Sequence, residues 1–552
     1  MIDMKNIILI IVLILSPLIG SSSNKWVLDD IFSDIDGIGI ININNLCSYQ
    51  NEQIYLIGEY DLDANPFPED ESMFVFQFDN INNVWNRLVD TFNILRFDGF
   101  EYVTPIGTDS LLLIGSETSL SVIDRFNPVV DTFNYFGENK GGWSAHFPDS
   151  SFGYTTSGYL HTTNDGGKTW TNLSEKLNQK INSVNSIPAF LHVRFLTDST
   201  FLCIGNGLDW NYDEREFAYV DLRDYIIEIR QTFNVQHDRI SQFHAINDSI
   251  VFLVGSRNVR QGGSGNDLIL KSTDGGRNWR EVLDFYYKDS EILRQFSNND
   301  SPFGIQEIAF RNSLHGIAVG QFSNILYTYD AGETWIYEPE YHPSIIYPNP
   351  TQAVMHVGYV DTTPIIATLS GDVLRMVEDN LAPGPDDKYT VSGRVYELAT
   401  GKGLRNVPVA LESRICMTDS LGYYKFTRVA PGRKTFGPIN KFTHLKVGSD
   451  STTTPHTFFP VMVEPIINRD TTYDFAASPV VSVEEESEKA NFTITEGFII
   501  LDDINEEQTL QLFDITGREV AIATGNRIDI SALPKGTYLL LIDGKKTIKL
   551  AL

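Results

Sequence analysis

Residues 162–170 read TTNDGGKTW, and close copies stand at 271–279 (KSTDGGRNW) and 327–335 (YTYDAGETW). Each places an Asp two positions before a Gly and five before a Trp. This is turn chemistry: a carboxylate accepts local N–H bonds, a glycine takes dihedrals that other residues resist, and a large aromatic ring packs behind the turn. The residues assigned that structural role are Asp165, Gly167 and Trp170, then Asp274, Gly276 and Trp279, then Asp330, Gly332 and Trp335.

Upstream of the turns a longer unit repeats, as in RFLTDSTFLCIG (194–205), HAINDSIVFLVG (244–255) and AFRNSLHGIAVG (309–320). A short run, an Asp/Asn-Ser turn and an apolar run ending in Gly describe a strand-turn-strand hairpin. PIGTDSLLLIG (105–115) and HFPDSSFGYTTSG (146–158) are weaker copies, and NEQIYLIG (51–58) and NPTQAVMHVG (349–358) read as the second strand alone. Each hairpin is followed by a third strand and an outer turn, near Asp79, Asp124, Asp165, Asp221, Asp274, Asp330 and Asp372. Four short strands per unit, without helical periodicity, predict an all-β chain that opens with a seven-bladed β-propeller.

The three turns resemble the Asp-box (BNR) repeat of sialidase-like propellers, with Asn278 in place of the usual Thr/Ser. The pattern HGIAVG…YTYDAGETW also resembles the photosystem II assembly-factor-like propellers. Both likenesses imply fold; function sits in loops.

The first 22 residues combine Lys5, an apolar run from Ile7 to Leu15 and small residues from Gly20 onward, the pattern of a signal peptide. No later stretch reaches the roughly 18 apolar residues of a membrane helix, so no membrane span is expected in the mature protein. Cys47, Cys203 and Cys416 have no metal-site or redox spacing. With 72 acidic against 42 basic residues the net charge is −30, which disfavours nucleic acid as a partner.

The propeller is expected over 23–380, followed by a linker at 381–387. Over 388–480 alternating strands and Thr-Gly, Asp-Ser-x-Gly and Pro-Gly turns predict a small β-sandwich. Through Gly393, Val395, Thr400, Gly401, Pro408, Val409, Thr418, Asp419, Gly422, Tyr424, Phe426, Pro431 and Gly432 it resembles the carboxypeptidase regulatory-like domain, which implies a non-catalytic spacer. An acidic linker at 481–490 precedes a second sandwich at 491–552. Gly517, Arg518, the run Ile528 to Tyr538 and the closing Lys545 to Leu550 resemble the type A C-terminal sorting domain of the type IX (Por) secretion system of Bacteroidetes. That resemblance implies the type IX machinery as a partner and a secreted or cell-surface location. The family's Tyr-Pro-Asn-Pro opener stands far upstream here, at Tyr347 to Pro350, where it reads as a hairpin turn of the seventh blade.

No zinc-protease, phosphate-loop or Gly-x-Ser-x-Gly motif occurs, and no cofactor or metal is expected. DLDANPFPEDES (61–72) starts like a calcium loop, but Pro66 stands where the turn needs Gly and Ser72 where it needs Glu. The sialidase likeness implies a pore arginine cluster and an N-terminal Arg-Ile-Pro stretch, and the latter is missing. A ligand platform is instead predicted on the loops NGLDWNYDERE (206–216) and SRNVRQGGSGND (256–267), where Trp210, Tyr212 and Asp213 meet Arg257 and Arg260. The expected function is therefore a non-enzymatic, exported binding module for an extracellular glycan or protein. The alternative is a secreted glycoside hydrolase with paired carboxylates at the pore.

Overall fold

The computed structural model describes residues 25–29, 31, 38–49, 53–62, 71–91, 100–107, 110–115, 119–124, 134–135, 144–156, 160–181, 189–197, 199–206, 214–224, 226–234, 238–257, 266–285, 304–320, 324–338, 354–368, 371–439, 456–459, 462–479, 492–495, 497–501, 508–514, 518–534, 536–542 and 546–551. The chain divides into two compact units, the first built mainly from residues up to Ala382 and the second mainly from Pro383 to Leu552. No disulfide links Cys47, Cys203 and Cys416. No helix among the described residues is long and apolar enough to cross a membrane.

The first unit starts with β1 (Lys25–Asp29) and continues in antiparallel meanders. Sheet one is β2 (Ile38–Tyr49), β3 (Gln53–Leu62), β4 (Glu71–Asp79) and β5 (Val84–Thr91). Sheet two is β6 (Phe100–Ile106), β7 (Ser110–Gly115), β8 (Ser119–Asp124) and β9 (Asn134–Tyr135). Sheet three is β10 (Ser144–His146), β11 (Gly153–Thr156), β12 (Leu160–Thr163) and β13 (Thr171–Asn172). Sheet four is β14 (Ala189–Phe195), β15 (Thr200–Asn206), β16 (Glu214–Asp221) and β17 (Ile226–Asn234). Sheet five is β18 (Asp238–Ala245), β19 (Val251–Arg257), β20 (Asn266–Ser272) and β21 (Arg280–Phe285). Sheet six is β22 (Ile305–Phe310), β23 (Gly316–Gly320), β24 (Asn324–Thr328) and β25 (Trp335–Tyr337). Sheet seven takes β26 (Val354–Val360), β27 (Thr363–Thr368) and β28 (Val373–Glu378) and borrows β1 as its outer strand.

The first strands of these sheets meet in cyclic order: β2 with β6, β6 with β10, β10 with β14, β14 with β18, β18 with β22, β22 with β26, and β26 with β2. A closed ring of antiparallel meanders is a β-propeller. Its core lies between neighbouring sheets. Leu202, Ile204 and Phe217 of sheet four, for example, pack with Phe243, Val251, Leu253 and Leu268 of sheet five. The ring is bolted at β1. Trp26 donates from Nε1 to the Tyr327 hydroxyl at 3.1 Å, and Asp29 accepts from Trp85 at 3.0 Å and pairs with Arg375 at 3.2 Å.

Sheet seven corrects the sequence reading. NPTQAVMHVG leads into β26, a first strand rather than a second, and Asp372 lies between β27 and β28, not at a third-to-fourth turn. The cause is the borrowed strand: the fourth member comes from the other end of the chain. Tyr347 to Pro350 lie outside the described residues. The sequence reading also passed over one helix, α1 (Leu173–Ile181), capped by Asn172, whose Oδ1 accepts from Glu175 N at 3.1 Å. It buries Leu173 and Leu177, a spacing too brief to register as a period.

The second unit holds two groups of strands, each around its own hydrophobic core. In the first, β29 (Tyr389–Glu397), β32 (Tyr423–Val429), β35 (His456–Phe459) and β38 (Phe475–Pro479) form one sheet, joined by β37 (Thr471–Thr472). β30 (Pro408–Leu411) pairs with β31 (Arg414–Met417) and β34 (Phe436–Pro438), and β33 (Gly432–Arg433) with β36 (Ile466–Ile467). Val391, Val409, Tyr424, Phe426 and Phe475 fill the core. In the second, β39 (Phe492–Thr495), β40 (Phe498–Leu501) and β43 (Arg527–Asp529) accompany the sheet of β41 (Thr509–Asp514), β42 (Glu519–Thr524), β44 (Thr537–Ile542) and β45 (Lys546–Ala551) around Ile499, Leu510, Leu512 and Leu540.

Candidate functional site

Six of the seven innermost strands carry a register shift at one structural position. The residues after it are Asn45, Tyr102, His192, Gln242, Glu307 and His356. Opposite five of these shifts stands a glycine among the second strands, Gly58, Gly115, Gly205, Gly255 or Gly320. At Gly255 the reason is steric, because a Cβ would lie 1.9 Å from the Arg239 carbonyl oxygen. The apolar run ending in Gly is thus the receiving half of a β-bulge, and a bulge re-aims the side chain that follows it.

The re-aimed residues tie neighbouring sheets together. Gln242 donates from Nε2 to Glu307 Oε1 at 3.0 Å and accepts on Oε1 from Ile308 N at 3.1 Å. Glu307 in turn accepts on Oε2 from Val357 N at 3.0 Å, with His356 Nδ1 at 3.3 Å. An innermost strand exposes one unpaired edge, and here the preceding sheet satisfies it. Two positions further along, a second tier comprises Cys47, Thr104, Arg194, His244, Ala309 and Gly358, joined from β10 by His146, whose Nε2 lies 3.1 Å from Arg194 Nη1. Burial pushes the Cys47 thiol up to about 12. Burial also holds His192 down to about 4, helped by the Arg215 charge.

At the end of sheets four and five where the predicted platform loops leave, guanidinium groups gather. Arg215 donates to the Ile240 carbonyl, and its pKa is lowered by burial and by Arg239. Arg239 is exposed. Arg257 pairs with Asp238 at 2.8 Å across the β18–β19 register. Of the predicted platform, only Arg257 is described; Trp210, Tyr212, Asp213 and Arg260 lie outside the described residues. Arg215 and Arg239 were missed in the sequence because each sits inside a strand pattern, with no motif to mark it.

The three acidic turns are closed by local hydrogen bonds. Asp165 Oδ1 accepts from Thr169 N at 2.8 Å, and Asp274 Oδ1 from Asn278 N at 2.8 Å; side-chain and backbone bonds to Thr169 and Asn278 hold the two carboxyls down to about 2. The hydroxyls of Thr163, Ser272 and Thr328 accept from the N–H of Gly167, Gly276 and Gly332 at 3.0, 2.7 and 2.8 Å. Thr328 donates to Asp330 at 3.1 Å. Trp170 bonds to the Gly167 carbonyl at 2.9 Å, Trp279 meets Phe217 edge-on at 5.2 Å, and Trp335 is fully buried. Sheets are also linked through these turns: Arg230 of sheet four donates to Gly275 O, and Lys271 of sheet five to Ala331 O at 2.7 Å.

No family model matches the sequence, and no curated protein matches it. Among solved structures the chain is similar to YCF48 bound to D1 peptide, at 13% identity over 66% of this chain and 99% of that one, with a TM-score of 0.42. It is similar to YCF48 from Cyanidioschyzon merolae at 10% identity over 64% and 98%, with a TM-score of 0.42. The WD40 propeller domain of Doa1 gives 10% identity over 66% and 98%, with a TM-score of 0.37.

Proposed function

We propose that the propeller is a non-enzymatic binding module, exported by its leader and delivered outside the cell through the C-terminal sorting domain and the type IX machinery. It would take an extracellular glycan or protein on the face of sheets four and five, with the 388–480 sandwich as a spacer. The observation that carries this reading is the gathering of Arg215, Arg239 and Arg257 at one end of adjacent sheets in a chain of net charge −30. Guanidinium groups there suit a partner rich in carboxylate or hydroxyl oxygens.

The hydrolase alternative needs two carboxylates with lone pairs open to substrate. Glu307 is the one carboxylate among the tier residues named above, and both its oxygens already accept protein hydrogen bonds. A glycan array and a polysaccharide panel on the full chain, reading retention and released reducing ends together, test the proposal. Retention without release, weakened in Trp210→Ala and Arg239→Ala, is expected. Released reducing ends would overturn it. Retention of a protein ligand alone would restrict the proposal to protein partners.

A further inference from the structure

The opposite end of the ring carries a second feature, one on which the proposed platform does not depend. Arg194 stands on the innermost strand β14, one residue before the strand ends at its hairpin turn, and is exposed. Its Nη1 lies 3.1 Å from His146 Nε2 on β10. Arg194 also lies close enough to His244, on β18, for its charge to bear on that imidazole. Three consecutive innermost strands therefore present His, Arg and His in one tier.

The arginine is held in place from behind. The buried Tyr154 hydroxyl donates to Val193 O at 3.1 Å and accepts from Phe195 N at 3.3 Å, so the backbone on both sides of Arg194 is pinned by the neighbouring sheet. His146 lies against Tyr154 at 5.7 Å, and His244 against Phe310 at 5.6 Å. Burial, with the Arg194 charge, holds His146 down to about 3 and His244 to about 4. Both imidazoles are thus neutral near pH 7, so Arg194 is the charged member of this tier. His146 Nε2 faces a guanidinium donor, so it accepts and its proton sits on Nδ1. Among the described residues one guanidinium nitrogen, Nη1, is engaged; Nε and Nη2 retain the two-pronged geometry that matches an oxyanion. The other members of this tier, Cys47, Thr104, Ala309 and Gly358, carry no carboxylate.

We propose that this end of the innermost strands is an oxyanion site, with Arg194 as the fork and the two imidazoles as its walls. Its ligand is a carboxylate or a tetrahedral inorganic anion. Titrating the full chain with sodium phosphate and sodium sulfate, at ionic strength matched with sodium chloride, tests the site by calorimetry and thermal shift. A parallel arm uses one short peptide with a free and with an amidated C-terminus.

Saturable binding of an inorganic oxyanion or of the free-carboxylate peptide is expected, and which arm responds assigns the source. In Arg194→Gln, whose exposed side chain can change without disturbing the core, affinity should fall about tenfold or more. Arg194→Lys should keep part of it. Binding that persists unchanged in Arg194→Gln, a response equalled by chloride or by the amidated peptide, or no saturation in the wild type would overturn the proposal.

Discussion

Glu307 joins three innermost strands through two oxygens, and that arrangement makes it sensitive to a one-atom change. In Glu307→Gln an amide NH2 must face either Gln242 Nε2 or Val357 N, donor against donor, whichever way the amide turns. The expected loss is about 1–3 kcal/mol in urea unfolding; a carboxylate kept for chemistry would leave stability unchanged. Histidines set the acid response. His146, His192 and His244 are held at about 3 to 4 in the fold, below the roughly 6.5 of an unfolded histidine. Below that pH the unfolded chain binds the extra protons, so stability present above pH 6.5 is lost on acidification. Between pH 7 and 5.5 the loss should approach about 1 kcal/mol per histidine, and His244→Asn should flatten the slope of melting temperature against pH. Asp165 and Asp274, held at about 2, act in the same direction only below about pH 4. None of these contacts was legible from composition or period, because a bulge changes which way a residue faces without changing its letter. Its one trace was the repeated Gly of Gly205, Gly255 and Gly320.

Elements show the reverse balance. The three acidic turns and the hairpins before them are legible in the sequence, since turn chemistry is local and each copy repeats it. What could not be read was the reach between sheets, as when Lys271 stretches to the Ala331 carbonyl while its ammonium stands 5.7 Å from the Phe252 ring. Lys271→Met keeps the apolar stem and removes the donor, so thermal unfolding should report a loss of about 1–3 kcal/mol. Gly255→Ala tests the bulge. Its new methyl would collide with the Arg239 carbonyl of the facing strand, and backbone cannot retreat without abolishing the register shift. A cost of about 3 kcal/mol is expected in urea unfolding. In sheet seven the same local logic misassigned NPTQAVMHVG and Asp372, because nothing near residue 372 announces that the missing strand lies at residue 25.

Closure of the ring is a property of the whole molecule, and it rests on five residues, Lys25 to Asp29. Trp26 is 3% exposed, and Trp26→Ala should cost about 3–5 kcal/mol. Removing residues 25–29 should replace one cooperative transition by a broad one, with sheet seven losing protection from hydrogen exchange first. The same strand also sets a clock. Asp29 and Arg375, which pair across the closure, are 346 positions apart. At about 5–20 residues per second a ribosome needs roughly 20–70 s to supply the second after the first. Throughout that interval each nascent chain carries an orphan KWVLD segment, and for a while longer β28 waits with an empty edge. On a crowded polysome that edge can take a neighbour's segment in place of its own, so slow elongation with dense ribosome loading should yield strand-exchanged dimers.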